Sequence, residues 1–315
     1  MAVYRSVDEL IGATPTLDVS RLSPNPSVEL YAKLEGQNPT GSVKDRVALA
    51  MLDGAEAEGR LAPGSVIIEP SSGNTGIALA MLGQRRGYRV KIVLPGNVTA
   101  ERRQMLEIFD AEIIDSPAEQ GSNGAVRLAV ELAEANPDWT MLYQYGNEAN
   151  PEVHYRTTGP EIVADVPGIT HFVAGLGTSG TLLGVGRYLK EYSPTVQVWA
   201  VEPPAGEQVE GLRSLEDGYV PPIFEQWGGV DLLDRKMIVR PRESIEATRM
   251  LAAEGVFSGI SGGAALAGAR KAAARIDEGV IVFVVSDHGW KYLSVGAWTD
   301  DLDAAVAQAE NVIYF

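Results

Sequence analysis

The chain predicts an α/β fold in two domains, on three observations. Strand-like and helix-like patterns alternate along nearly its whole length, which argues for a parallel sheet covered on both faces by helices. Its 315 residues, 45% of them hydrophobic, suffice for a large core and more than one domain. The alternation breaks only over the turn-rich stretch 203–233, and a loop of that length in a compact domain is functional or disordered.

The elements follow in order. Residues 28–34 alternate as a half-buried strand, and Val47, Ala50, Met51 and Ala55 then recur at helical spacing. Pro39 and Gly41 punctuate the turn between them, and Thr40 or Ser42 can cap the helix. Residues 66–69 form a short strand that ends at Pro70-Ser71-Ser72-Gly73, before a helix from Asn74. Residues 89–95 form another strand, followed by a helix with a cap at Thr99 and Glu101 in its first turn. Strands over 111–115 and 141–145 flank a helix over 123–135, and a further helix covers 151–164. The strand 171–174 leads through a glycine loop into a helix over 181–192, and the strand 196–202 follows. Helices over 244–253 and 264–274 and a buried strand over 280–285 complete the pattern. The last residues, Asn311 to Phe315, are apolar; they predict packing against the body or a partner subunit, with insertion towards the active site as the alternative.

Composition narrows the function. With Lys+Arg 26 and Asp+Glu 42 the net charge is 26 − 42 = −16, which disfavours nucleic acid and anionic lipid as partners. Cys 0 excludes disulfides, thiolate metal sites and a cysteine nucleophile. His154, His171 and His288 lack metal-ligand spacing. No signal peptide or run of ~20 apolar residues is present, so the expectation is a cytoplasmic protein without a membrane span.

Three stretches carry candidate chemistry. Asn38-Pro39-Thr40-Gly41-Ser42-Val43-Lys44-Asp45-Arg46 places Lys44 in the first turn of a helix, where the helix dipole disfavours a cation. A lysine there, if also desolvated, has a lowered pKa suited to imine chemistry. The plain alternative is a surface lysine. Gly175-Leu176-Gly177-Thr178-Ser179-Gly180-Thr181 lies between a strand and a helix, a ready anion site of converging N–H groups. It also fits G-x-G-x-x-G, with Glu202 placed as a ribose acid, so a dinucleotide is as good a reading from spacing as a phosphate monoester held by three hydroxyls. Ser71-Ser72-Gly73-Asn74-Thr75-Gly76 repeats the geometry and could hold a carboxylate, or be an ordinary capped turn. A phosphate, a carboxylate and an amine-reactive carbonyl together describe pyridoxal phosphate holding an amino acid.

With Gly259-Ile260-Ser261-Gly262-Gly263-Ala264, these motifs resemble the cysteine synthase family, the O-acylserine sulfhydrylases of pyridoxal-phosphate fold type II. The likeness runs from Leu10-Ile11-Gly12-Ala13-Thr14-Pro15 to Tyr292-Leu293-Ser294, and it sets the dinucleotide reading aside. It implies two open twisted sheet domains with flanking helices, tryptophan synthase β-like, with the cofactor in the cleft between them. The smaller domain would span 34–145, and the larger would combine 1–33 with 146–315. It implies that Lys44 forms the internal aldimine and then acts as general base. Gly177, Thr178, Ser179, Gly180 and Thr181 would cradle the cofactor phosphate, Asn74 would bond the ring oxygen, and Ser261 would face the pyridine nitrogen. Ser71, Ser72, Gly73 and Thr75 would bind the substrate carboxylate, with Gln144 near it. The implied reaction is β-replacement on an activated serine by a sulfur nucleophile, through an aminoacrylate, to give cysteine.

Within the family, Gly211-Leu212-Arg213-Ser214-Leu215 looks like the B-type branch, and most like actinobacterial members that use O-phosphoserine. Glu119-Gln120-Gly121-Ser122-Asn123, Tyr143-Gln144-Tyr145-Gly146-Asn147 and Gly289-Trp290-Lys291-Tyr292-Leu293-Ser294 share that likeness. Arg213 could bind a leaving phosphate in a bidentate way, where an acetyl group offers nothing comparable. O-acetylserine as substrate is the alternative, and a serine or threonine dehydratase a more distant one. The resemblance also implies a homodimer, and a thiocarboxylated sulfur-carrier protein as possible donor.

Overall fold

The computed structural model describes residues 3–71 and 73–311. Its strands are β1 (Thr16–Asp18), β2 (Val28–Leu34), β3 (Val66–Pro70), β4 (Arg89–Pro95), β5 (Glu112–Ser116), β6 (Trp139–Met141), β7 (His171–Gly175), β8 (Gln197–Glu202), β9 (Arg235–Ile238) and β10 (Gly279–Val285). They form a six-stranded sheet in the order β1-β2-β10-β7-β8-β9 and a four-stranded sheet in the order β5-β4-β3-β6. Only β1, an edge strand on β2, pairs antiparallel; the other pairings are parallel. The mixed α/β architecture with helices on the sheets is the one the alternation predicts.

Burial on both faces explains why the central strands read as apolar runs. Phe172, Val198, Ala200, Val282 and Val284 pack together on one face of the larger sheet. Their neighbours Val173, Trp199, Val201, Ile281 and Phe283 join a second core on the other face. The smaller sheet divides in the same way, with Ile67 and Ile92 in one cluster and Ile68 and Val93 in the other. Helices Pro241–Ala253 and Ile260–Ala273 approach closely because Gly263 lacks a side chain: a Cβ there would collide with Thr248 Oγ1 and the Ser244 carbonyl.

Two expectations are corrected. The strand expected over 141–145 ends at Met141, because Glu69 accepts hydrogen bonds from the backbone N–H of Tyr143 at 2.7 Å and Gln144 at 2.9 Å and turns the chain. Tyr143 adopts φ 57° in that turn. The helix expected over 151–164 is three pieces, Ala149–Val153, a π-turn His154–Thr158 and Gly159–Asp165. There the Thr157 hydroxyl donates back to the Val153 carbonyl at 2.6 Å. The stretch 203–233, expected to be functional or disordered, is packed: Val209 and Leu212 enter the larger core, and Pro222–Gln226 is a short helix. Strand β9, which follows it, escapes the sequence pattern because only Met237 of its four residues is buried.

A buried ionic cluster anchors the helix Lys44–Ala57. Arg46 contacts Glu35 at 2.8 Å and Glu161 at 2.7 Å, and Lys33 contacts Glu161 at 3.1 Å. Burial pushes the Glu35 carboxyl up, but Arg46, together with Thr14 and Lys33, outweighs it and the net shift is downward. This clamp holds Lys44 two residues away.

Candidate active site

The carboxyl ends of β3, β7 and β10 point into one cavity, the place where open parallel sheets bind ligands. After β3 come Ser71, Gly73, Asn74 and Thr75; after β7 come Gly177, Thr178, Ser179 and Thr181; Ser286 follows β10. Lys44, Gln144 and Ser261 complete the wall. Eleven of the fourteen residues singled out in the sequence therefore meet in one place, from Lys44 to Ser261.

Each has a geometric reason. Lys44 opens its helix, with its backbone N–H donating to Ser42 Oγ at 3.3 Å. Its Nζ has neither a hydrogen bond nor an ion pair among the described residues. Burial lowers its pKa to about 8, against the opposing charge of Asp287. The Ser71 hydroxyl accepts from the backbone N–H of Gly73 at 3.2 Å and Gly76 at 3.0 Å, so it shapes the loop. Thr75 Oγ1 donates to Gln144 Oε1 at 2.6 Å. Asn74 sits at the first position of the helix Asn74–Arg86 and donates to Asp287 Oδ2 at 2.8 Å.

The second loop has converging N–H groups and hydroxyls at a helix start. Ser179 is left-handed at φ 76°, immediately before the helix Gly180–Tyr192, and its hydroxyl is buried without a partner among the described residues. Gly180 must be glycine because a Cβ would collide with Asn150 Oδ1. Asn150 in turn donates to Thr178 Oγ1 at 3.1 Å. Thr181 Oγ1 lies 3.1 Å from His154 Nε2, and burial, with Arg46 and Lys44 nearby, holds that imidazole neutral. A tight nest of N–H groups with spare hydroxyls at a helix N-terminus fits a phosphate monoester, so these residues suit pyridoxal phosphate. The acid required by the dinucleotide reading is otherwise engaged: Glu202 pairs with Lys236 at 2.8 Å and accepts from the Leu215 N–H at 3.1 Å.

Three sequence-predicted residues stand apart. Gly180 does not itself line the cavity, though its neighbours Ser179 and Thr181 do, and Ser72 falls outside the described residues. Arg213 does not line the cavity; its guanidinium stacks 5.4 Å from the Tyr145 ring and 4.7 Å from the Tyr219 ring. The apolar tail from 312 onward also lies outside the described residues.

Sequence reasoning missed a set of buried polar residues. Arg102 and Glu210 both line the cavity and form an ion pair at 2.6 Å. Burial raises the Glu210 carboxyl to about 7, with Arg102 pulling the other way. Tyr292 lines the cavity as well and donates to Asp287 Oδ2, while Lys291 bonds Asn74. One signal was available: Arg102 stands in the first turn of the helix Ala100–Ile108, where the dipole disfavours a cation just as it does at Lys44.

Fold and site together define an α/β enzyme that holds an anionic cofactor beside a lysine, and the chain matches the family described as "Pyridoxal-phosphate dependent enzyme" over residues 7–287. It is 41% identical over 298 residues to cysteine synthase B of Escherichia coli (strain K12), covering 94% of this chain and 97% of that protein. The structure of an O-ureido-L-serine synthase superposes with TM-score 0.88 at 36% identity, covering 97% of this chain and 100% of that one. An O-acetylserine-dependent cystathionine β-synthase from Helicobacter pylori follows at TM-score 0.86 and 34% identity, over 93% and 98% of the two chains. This chain belongs to the pyridoxal-phosphate-dependent enzymes and, among them, to the cysteine synthase family, with the B-type branch as the fitting one.

Proposed function

We propose that this protein is a cysteine synthase that replaces the β-substituent of an activated serine with sulfur, with O-phosphoserine preferred over O-acetylserine. The observation that carries the reading is the cavity in which Lys44 faces both the Ser71–Thr75 loop and the phosphate-type loop 177–181. Pyridoxal phosphate, when bound, supplies a carbonyl for amine condensation and an electron sink for charge developing at the substrate α-carbon. The chain supplies the rest. The amine of Lys44, already lowered to about 8, takes and returns the α-proton. Thr75, Gln144 and the N-terminus of the helix Asn74–Arg86 hold the substrate carboxylate. The hydroxyls and N–H groups of 177–181 hold the cofactor phosphate, and Ser261 meets the pyridine nitrogen with a neutral partner.

The preference for a phosphate leaving group rests on Arg213 in the segment Gly211-Leu212-Arg213-Ser214. Its guanidinium lies 5.4 Å from the centre of the Tyr145 ring, which lines the cavity while Arg213 does not, so engaging a phosphate requires the segment to shift. Gly211 and Gly218 bracket the segment in left-handed conformations at φ 69° and 86°. The division into a smaller unit over 34–145 and a larger one from the remainder belongs to the same proposal, as does sulfide or a thiocarboxylated carrier protein as donor.

The test follows the visible absorbance of the cofactor-loaded protein during separate additions of O-phosphoserine and O-acetylserine without a sulfur donor. A spectral change at low phosphoserine concentration, lost in Arg213→Ala, is the expected result. A change with acetylserine at the lower concentration would reverse the preference. No visible band after adding pyridoxal phosphate would end the reading altogether.

A further inference from the structure

We infer that Lys291 is a positioning residue that fixes the orientation of the Asn74 amide, so that Asn74 presents an N–H, never its carbonyl, to the cofactor. The inference rests on the pyridoxal-phosphate reading above. Lys291 is fully buried, and its Nζ donates to Asn74 Oδ1 at 2.5 Å and to the Gly41 carbonyl at 3.3 Å. On the other side of the same amide, Asn74 Nδ2 donates to Asp287 Oδ2 at 2.8 Å. Asp287 is fixed there by the Tyr292 hydroxyl, which donates to the same oxygen.

The chemistry of the two flanking groups decides the rotamer. An ammonium has donors only and a carboxylate has acceptors only. An amide between them can satisfy both in just one of its two orientations, oxygen towards Lys291 and nitrogen towards Asp287. Flipping it would set N–H against ammonium and carbonyl against carboxylate, two repulsive contacts in a desolvated wall. Burial lowers Lys291 to about 8, with Asp287 and Asp45 opposing that shift, so at neutral pH it remains a donor-only cation. The second hydrogen on Asn74 Nδ2 is taken by none of the described residues, and Asn74 lines the cavity. That hydrogen is the one available to an acceptor on the cofactor ring. Without Lys291 the amide is oriented from the Asp287 side alone, and Oδ1 loses its charged donor.

The experiment uses apoprotein prepared by removing the cofactor and titrated with pyridoxal phosphate, read by protein fluorescence and by the visible band. Four proteins are compared: wild type, Lys291→Met, Asn74→Ala and the double variant. The expected result is a dissociation constant raised about ten-fold or more in Lys291→Met, the scale of a hydrogen bond to a charged group. In the Asn74→Ala background the same substitution should add nothing, because the amide it orients is gone. Additive effects, or an unchanged constant in Lys291→Met, would overturn the inference. Asn74→Asp serves if Lys291→Met fails to fold. It keeps the buried ammonium paired, but it removes the donor and sets a second carboxylate against Asp287 Oδ2, so it should shift the visible band and weaken binding. An unchanged band and affinity there would also overturn the inference. A wild-type protein that binds no pyridoxal phosphate would instead bring down the cofactor reading.

Discussion

Thr75 Oγ1 donates to Gln144 Oε1 at 2.6 Å, joining residues 69 apart in sequence from two different loops of one cavity. Gln144 is held for this contact from behind: its backbone N–H donates to the buried Glu69 at 2.9 Å and its side-chain amide to the Pro70 carbonyl at 3.3 Å. Removing the hydroxyl leaves a buried carbonyl without its donor. Thr75→Val should therefore raise KM for the amino-acid substrate about ten-fold, the cost of one lost buried hydrogen bond, with a smaller change in kcat. Steady-state kinetics on the cofactor-loaded enzyme decide it; an unchanged KM would remove Thr75 from carboxylate binding.

The Lys44 amine has its pKa lowered to about 8 from 10.5 by burial, while the Asp287 charge works to raise it. In cofactor-free protein the neutral, reactive form then dominates above about 8. Labelling of Lys44 by an amine reagent, followed by peptide mass spectrometry, should rise to half its maximum near that pH. Asp287→Asn removes the opposing charge and should move the midpoint lower. A midpoint above 10, that of an ordinary lysine, would contradict the site geometry.

Glu210 and Arg102 form a buried ion pair at 2.6 Å, yet burial still raises the Glu210 carboxyl to about 7 from 4.5. The folded protein thus binds more protons at this group than the unfolded chain does between those two pH values. Its contribution to stability is greatest at the acid end and declines as pH rises towards 7. Denaturation curves across that range should fall less steeply with pH for Glu210→Gln than for the wild type. Parallel curves would show that Glu210 titrates normally.

Gly263 lies where the helices Pro241–Ala253 and Ile260–Ala273 touch, against Thr248 and the Ser244 carbonyl. Gly263→Ala must push two helix backbones apart, so we expect a loss of about 3 kcal/mol, the upper range for overpacking a core. A melting temperature within a degree or two of the wild type would mean the helices can slide.

Legibility differed sharply between elements. Residues 28–34 and 89–95 are legible to the residue as β2 and β4, because apolar residues alternate with polar ones along 28–34 and at the start of 89–95. Edge strand β9 carried none. The site loops were legible because glycine and hydroxyl residues at a strand-to-helix junction have few other uses. Arg102, Glu210, Asp287 and Lys291 were not assigned roles, since along a chain a buried charge has the same letter as a solvated one.

The sequence by itself determined the α/β alternation and the positions of Lys44 and the two glycine-and-hydroxyl loops, which are local patterns set by backbone periodicity and turn chemistry, and its motifs carried the resemblance to the cysteine synthase family. Only the tertiary structure decided which polar groups meet: Thr75 with Gln144, Asn74 between Lys291 and Asp287, Arg102 with Glu210, and Arg213 against the Tyr145 ring instead of in the cavity wall. Those pairings depend on desolvation, and burial is a property of how distant segments pack rather than of any one segment.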